Sequence, residues 1–176
     1  MNLLRQDTAA GFDAPLELLQ ACHGRIEQQC ATLEKLIAHV VRHGADAAAA
    51  QAAAGILKYF RQAAPLHHRD EEENLFPRLL ARLDGEHAAL ADLAALLETQ
   101  HRALDDLWAR LEGVLDLLAQ GRSAALPADL AVEFIARNRQ HMDLENSCIL
   151  PAARRLLTAA DLDELGQAMR ARRGLA

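Results

Sequence analysis

Two stretches of the chain, His67-His68-Arg69-Asp70-Glu71-Glu72-Glu73-Asn74-Leu75-Phe76-Pro77 and His141-Met142-Asp143-Leu144-Glu145-Asn146-Ser147-Cys148-Ile149-Leu150-Pro151, align without a gap as HxxxExxxLFP and HxxxExxxILP. A His and a Glu four positions apart lie one helical turn apart on one face, so each stretch aims an imidazole and a carboxylate at one point. Two such turns facing each other could hold metal. His23 and His101 stand alone on apolar stripes upstream, His23 44 residues before His67 and His101 40 before His141.

The elements that must position these groups follow from breakers and periodicity. Ala and Leu dominate, aromatic residues make up only 3% and Gly and Pro are sparse, which favours helix almost everywhere. After a coil at Gly11-Phe12-Asp13, a first helix is expected over about residues 14–42, with Leu16, Leu19, His23, Ile26, Cys30, Leu33, Ile37 and Val40 at heptad spacing. A second spans 46–82, carrying Phe60, Ala64, His67 and Glu71 on one stripe before the Asp84-Gly85 turn. A third spans 86–119, with a seam through Leu97, His101, Leu104 and Trp108, and a loop follows at Gly121-Arg122-Ser123 and Pro127. A fourth covers 128–157, and Thr158 with Asp161 forms an N-cap pattern opening a short fifth helix over about 159–173.

The expectation is an all-α, up-down-up-down antiparallel four-helix bundle (14–157) with a short C-terminal fifth helix, all within one domain, 1–176. In that topology His23, Glu71, His67, His101, Glu145 and His141 fall within a band roughly 10 Å thick at 1.5 Å rise per residue. One seam histidine is ordinarily a hydrogen-bonded core residue. Four of them with two glutamates at one depth are different, because buried ionisable groups cost several kcal/mol each unless paired or metal-bound.

Imidazole and carboxylate ligation without thiolates suits iron or manganese better than structural zinc, and six side chains suit two ions better than one. Cys22, Cys30 and Cys148 are unclustered and are expected to be reduced core residues. No apolar run approaches the roughly 20 residues needed to span a bilayer, and the N-terminus lacks a signal peptide's apolar segment, so a cytoplasmic protein is expected. A net charge of −6 gives no basic stripe for nucleic acid. Arg170, Arg172 and Arg173 make a small basic tail that suits a helix C-terminus.

From about residue 16 to 157 the chain resembles the hemerythrin-like, or HHE cation-binding, domains, on His23, His67 with Glu71, His101, His141 with Glu145, and the EExxLFP run Glu71-Glu72-Glu73-Asn74-Leu75-Phe76-Pro77. The resemblance implies a four-helix bundle around a non-haem di-iron centre with an oxo or hydroxo bridge, in which His23, His67, Glu71, His101, His141 and Glu145 are the metal ligands. Members bind O2, sense oxygen, iron or redox state, or handle nitric oxide or peroxide. In one respect the sequence departs: respiratory pigments of the family carry HxxxH on the third helix, and here Leu97 stands four residues before His101. That makes turnover or sensing more plausible than oxygen storage.

Two functional classes therefore stand: a di-iron protein that binds O2 or a related small ligand for sensing, carrying or scavenging, and a di-iron enzyme (peroxidase, oxidase, nitric-oxide handling) or iron-storage protein. His68 and Glu72 are expected to be solvated or to support the ligands from outside. Glu27 and Asp105, each four residues after a seam histidine, could replace the missing ligand, but are expected on the flank, orienting those histidines. Pro77 and Pro151 are expected to kink their helices. Leu79, Leu80 and Leu83 could bury against the fifth helix or a second subunit. Any signalling partner would be a separate protein.

Overall fold

The computed structural model describes residues 11–122 and 125–175; Ser123 of the expected loop lies outside them. It is all-helical. Pro15 opens α1 (Pro15–His43), where its missing N–H costs nothing. Gly44 closes that helix at φ 73°, a left-handed conformation suited to glycine. Asp46 then caps α2 (Ala47–Gln62) by accepting the Ala49 N–H at 2.9 Å.

The expected second helix is a rod of several pieces. After α2 the chain makes a turn at Ala63, because Pro65 has no N–H to return to the carbonyl four residues back. It resumes as α3 (Ala64–Asp70), passes through a π turn at Glu71–Leu75, and ends as α4 (Phe76–Leu80), two residues short of the expected limit. A short 3-10 turn, Gly85–His87, leads into α5 (Ala88–Ala119). The expected fourth helix is α6 (Ala128–Leu144), a second π turn at Glu145–Ile149, and α7 (Leu150–Leu156). Thr158 and Asp161 form the full capping box that opens α8 (Ala159–Arg172).

Each half of the sequence repeat thus contains a π turn beginning at its glutamate. Pro77 and Pro151 withhold the N–H that would bond four residues back, and the turn widens by one residue: the Phe76 N–H reaches Glu71 O and the Leu150 N–H reaches Glu145 O.

The helices pack as a bundle in which α1 touches α2 and α6, and α5 touches the same two. Its core has two parts. One, around Ile26, Cys30, Leu33, Ile56, Phe60, Leu111, Leu115 and Phe134, fills one end. The other, around Leu16, Leu19, Leu75, Phe76, Leu79, Leu97 and Ile149, fills the end where α8 docks. Leu165 and Met169 of α8 join that second cluster, so Leu79 is covered within the chain, while Leu80 is 39% exposed. Gly166 lets α8 approach, since a Cβ there would lie 2.1 Å from the Phe12 carbonyl oxygen. No helix among the described residues is long and apolar enough to cross a membrane.

The basic tail is not a solvated helix end. Arg172 and Arg173 both reach Asp70, whose side chain is fully buried, with Arg173 Nη2 at 2.7 Å, and Arg172 also binds Glu73 at 2.6 Å. The α8 helix is therefore tied by charge to the residue immediately before Glu71.

Candidate metal centre

All six expected ligands converge between the two core clusters, and each is at most 3% exposed. Their ligand atoms fall into two groups, His23, His67, Glu71 and Glu145, and Glu71, His101, His141 and Glu145, each within 4.8 Å and each able to hold a metal ion. The two glutamates belong to both groups. Their oxygens divide accordingly. Glu71 Oε1 lies 3.4 Å from His67 Nε2 and 3.7 Å from His23 Nε2, while its Oε2 lies 3.6 Å from His101 Nε2. Glu145 Oε2 lies 3.1 Å from His23 Nε2, while its Oε1 lies 3.2 Å from His141 Nε2 and 3.9 Å from that of His101. Each carboxylate thus turns one oxygen to each histidine pair.

The outer ring nitrogens fix which atom faces inward. His101 Nδ1 donates to Glu72 Oε1 at 2.6 Å, His23 Nδ1 to Asn146 Oδ1 at 2.8 Å and His141 Nδ1 to Gln100 Oε1 at 2.9 Å. With the proton on Nδ1, the Nε2 of each ring in its neutral form presents a lone pair to the centre. His101 Nε2 and His141 Nε2 then stand 2.9 Å apart, lone pair against lone pair, an arrangement that needs a cation or a proton between them. His23 Nε2, His67 Nε2, Glu71 Oε2 and both Glu145 oxygens are likewise buried without a hydrogen-bond partner. Orphaned lone pairs at this density are what a metal would satisfy.

The protein matrix alone distributes charge unevenly among them. Burial would lower the His23 pKa, but Glu145 and Glu71 against it win and push it up to about 10. Burial, with His141 beside it, brings His101 down to about 3. Burial and the neighbouring Glu145 charge raise Glu71. Glu145 goes the other way: burial opposes its ionisation, but His141 and His23 outweigh it.

Several flanking residues depart from expectation. Glu27 does not orient His23; it is held by Arg139 at 2.8 Å. Asp105 does not orient His101 but lies 3.9 Å from His68 Nδ1. The orienting groups are Asn146, Glu72 and Gln100, and sequence reasoning passed over Asn146 and Gln100. The signal for Asn146 was present, because it aligns with Glu72 in the repeat. His68 is not solvated: its ring stacks on that of His101 at 3.9 Å and 13°, and with His101 and His141 it forms a third group able to hold a metal. Leu97, where a further histidine was looked for, is fully buried in apolar core. Among the cysteines, Cys22 and Cys30 are buried and Cys148 is only half-buried; all three are free thiols.

Comparison with known proteins follows the same lines. Residues 14–153 match the family model described as the hemerythrin HHE cation binding domain. The chain is also 32% identical over 173 residues to an uncharacterized protein of Haemophilus influenzae, a similarity that covers 98% of each chain.

Proposed function

The chain belongs to the hemerythrin HHE cation-binding domain family, and on that premise we propose that it holds two iron ions and binds O2 or a related small ligand such as nitric oxide or peroxide for sensing, carrying or scavenging. His23 and His67 would hold one ion, His101 and His141 the other, and Glu71 and Glu145 would bridge both. The proposal extends to the fold, an up-down-up-down antiparallel bundle forming one domain. Two iron ions would supply redox-active Lewis acids with positions left over for a small exogenous ligand.

The observation that carries this reading is the division of the carboxylate oxygens, one toward each histidine pair. If Glu71 and Glu145 each served both ions, the four imidazoles and two carboxylates would leave about four of the twelve positions of two octahedra for other ligands. The chain's own part is to orient and to enclose. Glu72, Asn146 and Gln100 hold three imidazoles with Nε2 inward, and the apolar clusters on either side keep bulk water from the centre. Manganese fits the same donors less distinctively.

The test is metal analysis after iron-replete expression, with anaerobic and aerobic absorption spectra of the same preparation. Two irons per chain and a near-ultraviolet spectrum that changes when O2 is admitted are expected. Less than one metal per chain would defeat the dinuclear assignment, and two irons with a spectrum indifferent to O2 and nitric oxide would defeat the ligand assignment.

A further inference from the structure

A cavity of about 260 Å³ lies between the α2–α3 rod, α5 and α6 and reaches His68, whose ring stacks on that of His101. Its walls include Phe60, Trp108, Phe134, Leu104 and Ala64, and it ends inward at His68 and Asn138. The three aromatic rings pack on one another, Phe60 to Trp108 at 4.9 Å and 32° and Phe60 to Phe134 at 5.0 Å and 70°, so they form one continuous apolar wall. A space of roughly 150 Å³ lined by apolar side chains accommodates benzene, so this one has room for a substituted ring. It is far larger than a diatomic gas requires.

Two polar groups stand at the inner end. Asn138, 4% exposed, donates its Nδ2 to the Phe134 carbonyl at 2.9 Å, which leaves its Oδ1 as an acceptor. The His68 ring separates the cavity from His101, on which it stacks. At the rim Arg61 is already bound to Glu112 at 2.5 Å and Asp116 at 3.0 Å, and Asp105 adds a further carboxylate. The rim charge is thus negative and repels an anion, while the apolar wall would strip a cation of its water.

We infer that this cavity is a binding site for a small, flat, uncharged aromatic molecule bearing a hydroxyl, of the size of a phenol, seated with its ring against the wall that Phe60 and Trp108 form and its hydroxyl toward His68 and Asn138. The inference goes beyond gas binding and holds whatever ion the centre carries. It places an organic molecule one imidazole away from His101.

Phenol is the probe. Trp108 is the only tryptophan in the chain, so its emission reports on this cavity alone, and equilibrium dialysis of phenol against the protein as purified counts the sites independently of emission. One saturable phenol per chain below the millimolar range is expected, with Trp108 emission changing in step. Toluene, benzoate and benzylamine should each bind tenfold or more weakly. Ala64→Leu, which fills the cavity from its wall, should lower phenol affinity at least tenfold; Pro65→Phe fills it from the exposed rim and serves if the first variant does not fold. Absence of saturation, or uptake unchanged in the folded variants, would overturn the site. Toluene binding as tightly as phenol would overturn the role of His68 and Asn138, and benzylamine binding more tightly would overturn the uncharged assignment.

Discussion

The two halves of the centre are built on one pattern but finished differently. The register that sets His23 against His101 sets Glu27 against Asp105, Cys30 against Trp108 and Glu34 against Glu112; the register that sets His67 against His141 sets Pro65 against Arg139, His68 against Met142 and Glu72 against Asn146. Crossing the halves, Glu72 holds His101 and Asn146 holds His23, so the same outer contact recurs with a carboxylate on one side and an amide on the other. A carboxylate acceptor draws the Nδ1 proton more strongly and makes Nε2 the better donor. Beyond that contact the grooves diverge. Between α1 and α6, Cys30 is fully buried, Met142 is buried, and Arg139 spans Glu27 and Glu34. In the opposite groove Pro65 and His68 take those places and the aromatic cavity opens. A repeat can thus keep its inner residues and spend its outer ones on making two unequal approaches to one site.

The largest test of the comparison separates shared from private ligands. Glu71→Ala or Glu145→Ala should strip both positions and leave less than one metal per chain, because each carboxylate serves both groups. His67→Ala and His141→Ala each belong to one group and should leave about one metal per chain. Metal quantitation on the four variants decides it. Equal losses from all four would mean that the two positions fill only together.

The next difference lies in what braces the π turns. Asp70, just before Glu71, is fully buried and bound by Arg172, the last residue of α8, and by Arg173 after it; its counterpart before Glu145 is Leu144, which is half-buried and packs against apolar core. Arg172→Ala leaves a buried carboxylate with half its compensation and should destabilise the chain by about 3 kcal/mol, the lower end for breaking a buried pair. Leu144→Ala should cost about 1 kcal/mol, as for a partly buried side chain. Denaturant unfolding of both variants measures the gap, and a smaller loss for Arg172→Ala would remove α8 from the support of the site.

How much of this was legible in the sequence depends on the kind of contact. His23, His101 and the two HxxxE turns could be read because helical periodicity places residues of known spacing on one face, and the capping box at Thr158 because it is local. The π turns were signalled only as disturbances, since proline announces a lost hydrogen bond without saying how the turn absorbs it. The Asp70 clamp was out of reach: it joins residues about a hundred positions apart, and a run of arginines at a helix end reads equally well as solvated. For His68 the sequence left two readings, solvated or supporting a ligand from outside, because Met142 takes its place in the second repeat; its ring lies over that of His101, which fits the second.

The outer contacts offer a smaller test. Glu72→Gln should weaken the ion held by His101 and His141 about tenfold, and Asn146→Ala should do the same for the ion held by His23 and His67, the low end for groups that orient a metal-bound imidazole. Stepwise removal with a chelator, followed by absorption, would show two ions leaving at different concentrations, with the order set by which contact is missing. If both variants released the two ions together, the crossing contacts would not distinguish the halves.

The smallest expected effect concerns the charges that edge the two grooves. Arg139 binds Glu27 with both Nε and Nη2 and also reaches Glu34 at 3.2 Å; Arg61 binds Glu112 and Asp116. All of these side chains are a third or more exposed, so water screens them and each arginine's replacement by alanine should cost at most about 1 kcal/mol. Their placement still separates them. Arg139 lies across the groove occupied by Met142 and Asn146, and its loss should leave Trp108 emission unchanged; Arg61 lies at the rim of the aromatic cavity, and its loss should shift that emission without changing the metal content. A shift in both variants would mean that the two grooves are mechanically joined through the bundle.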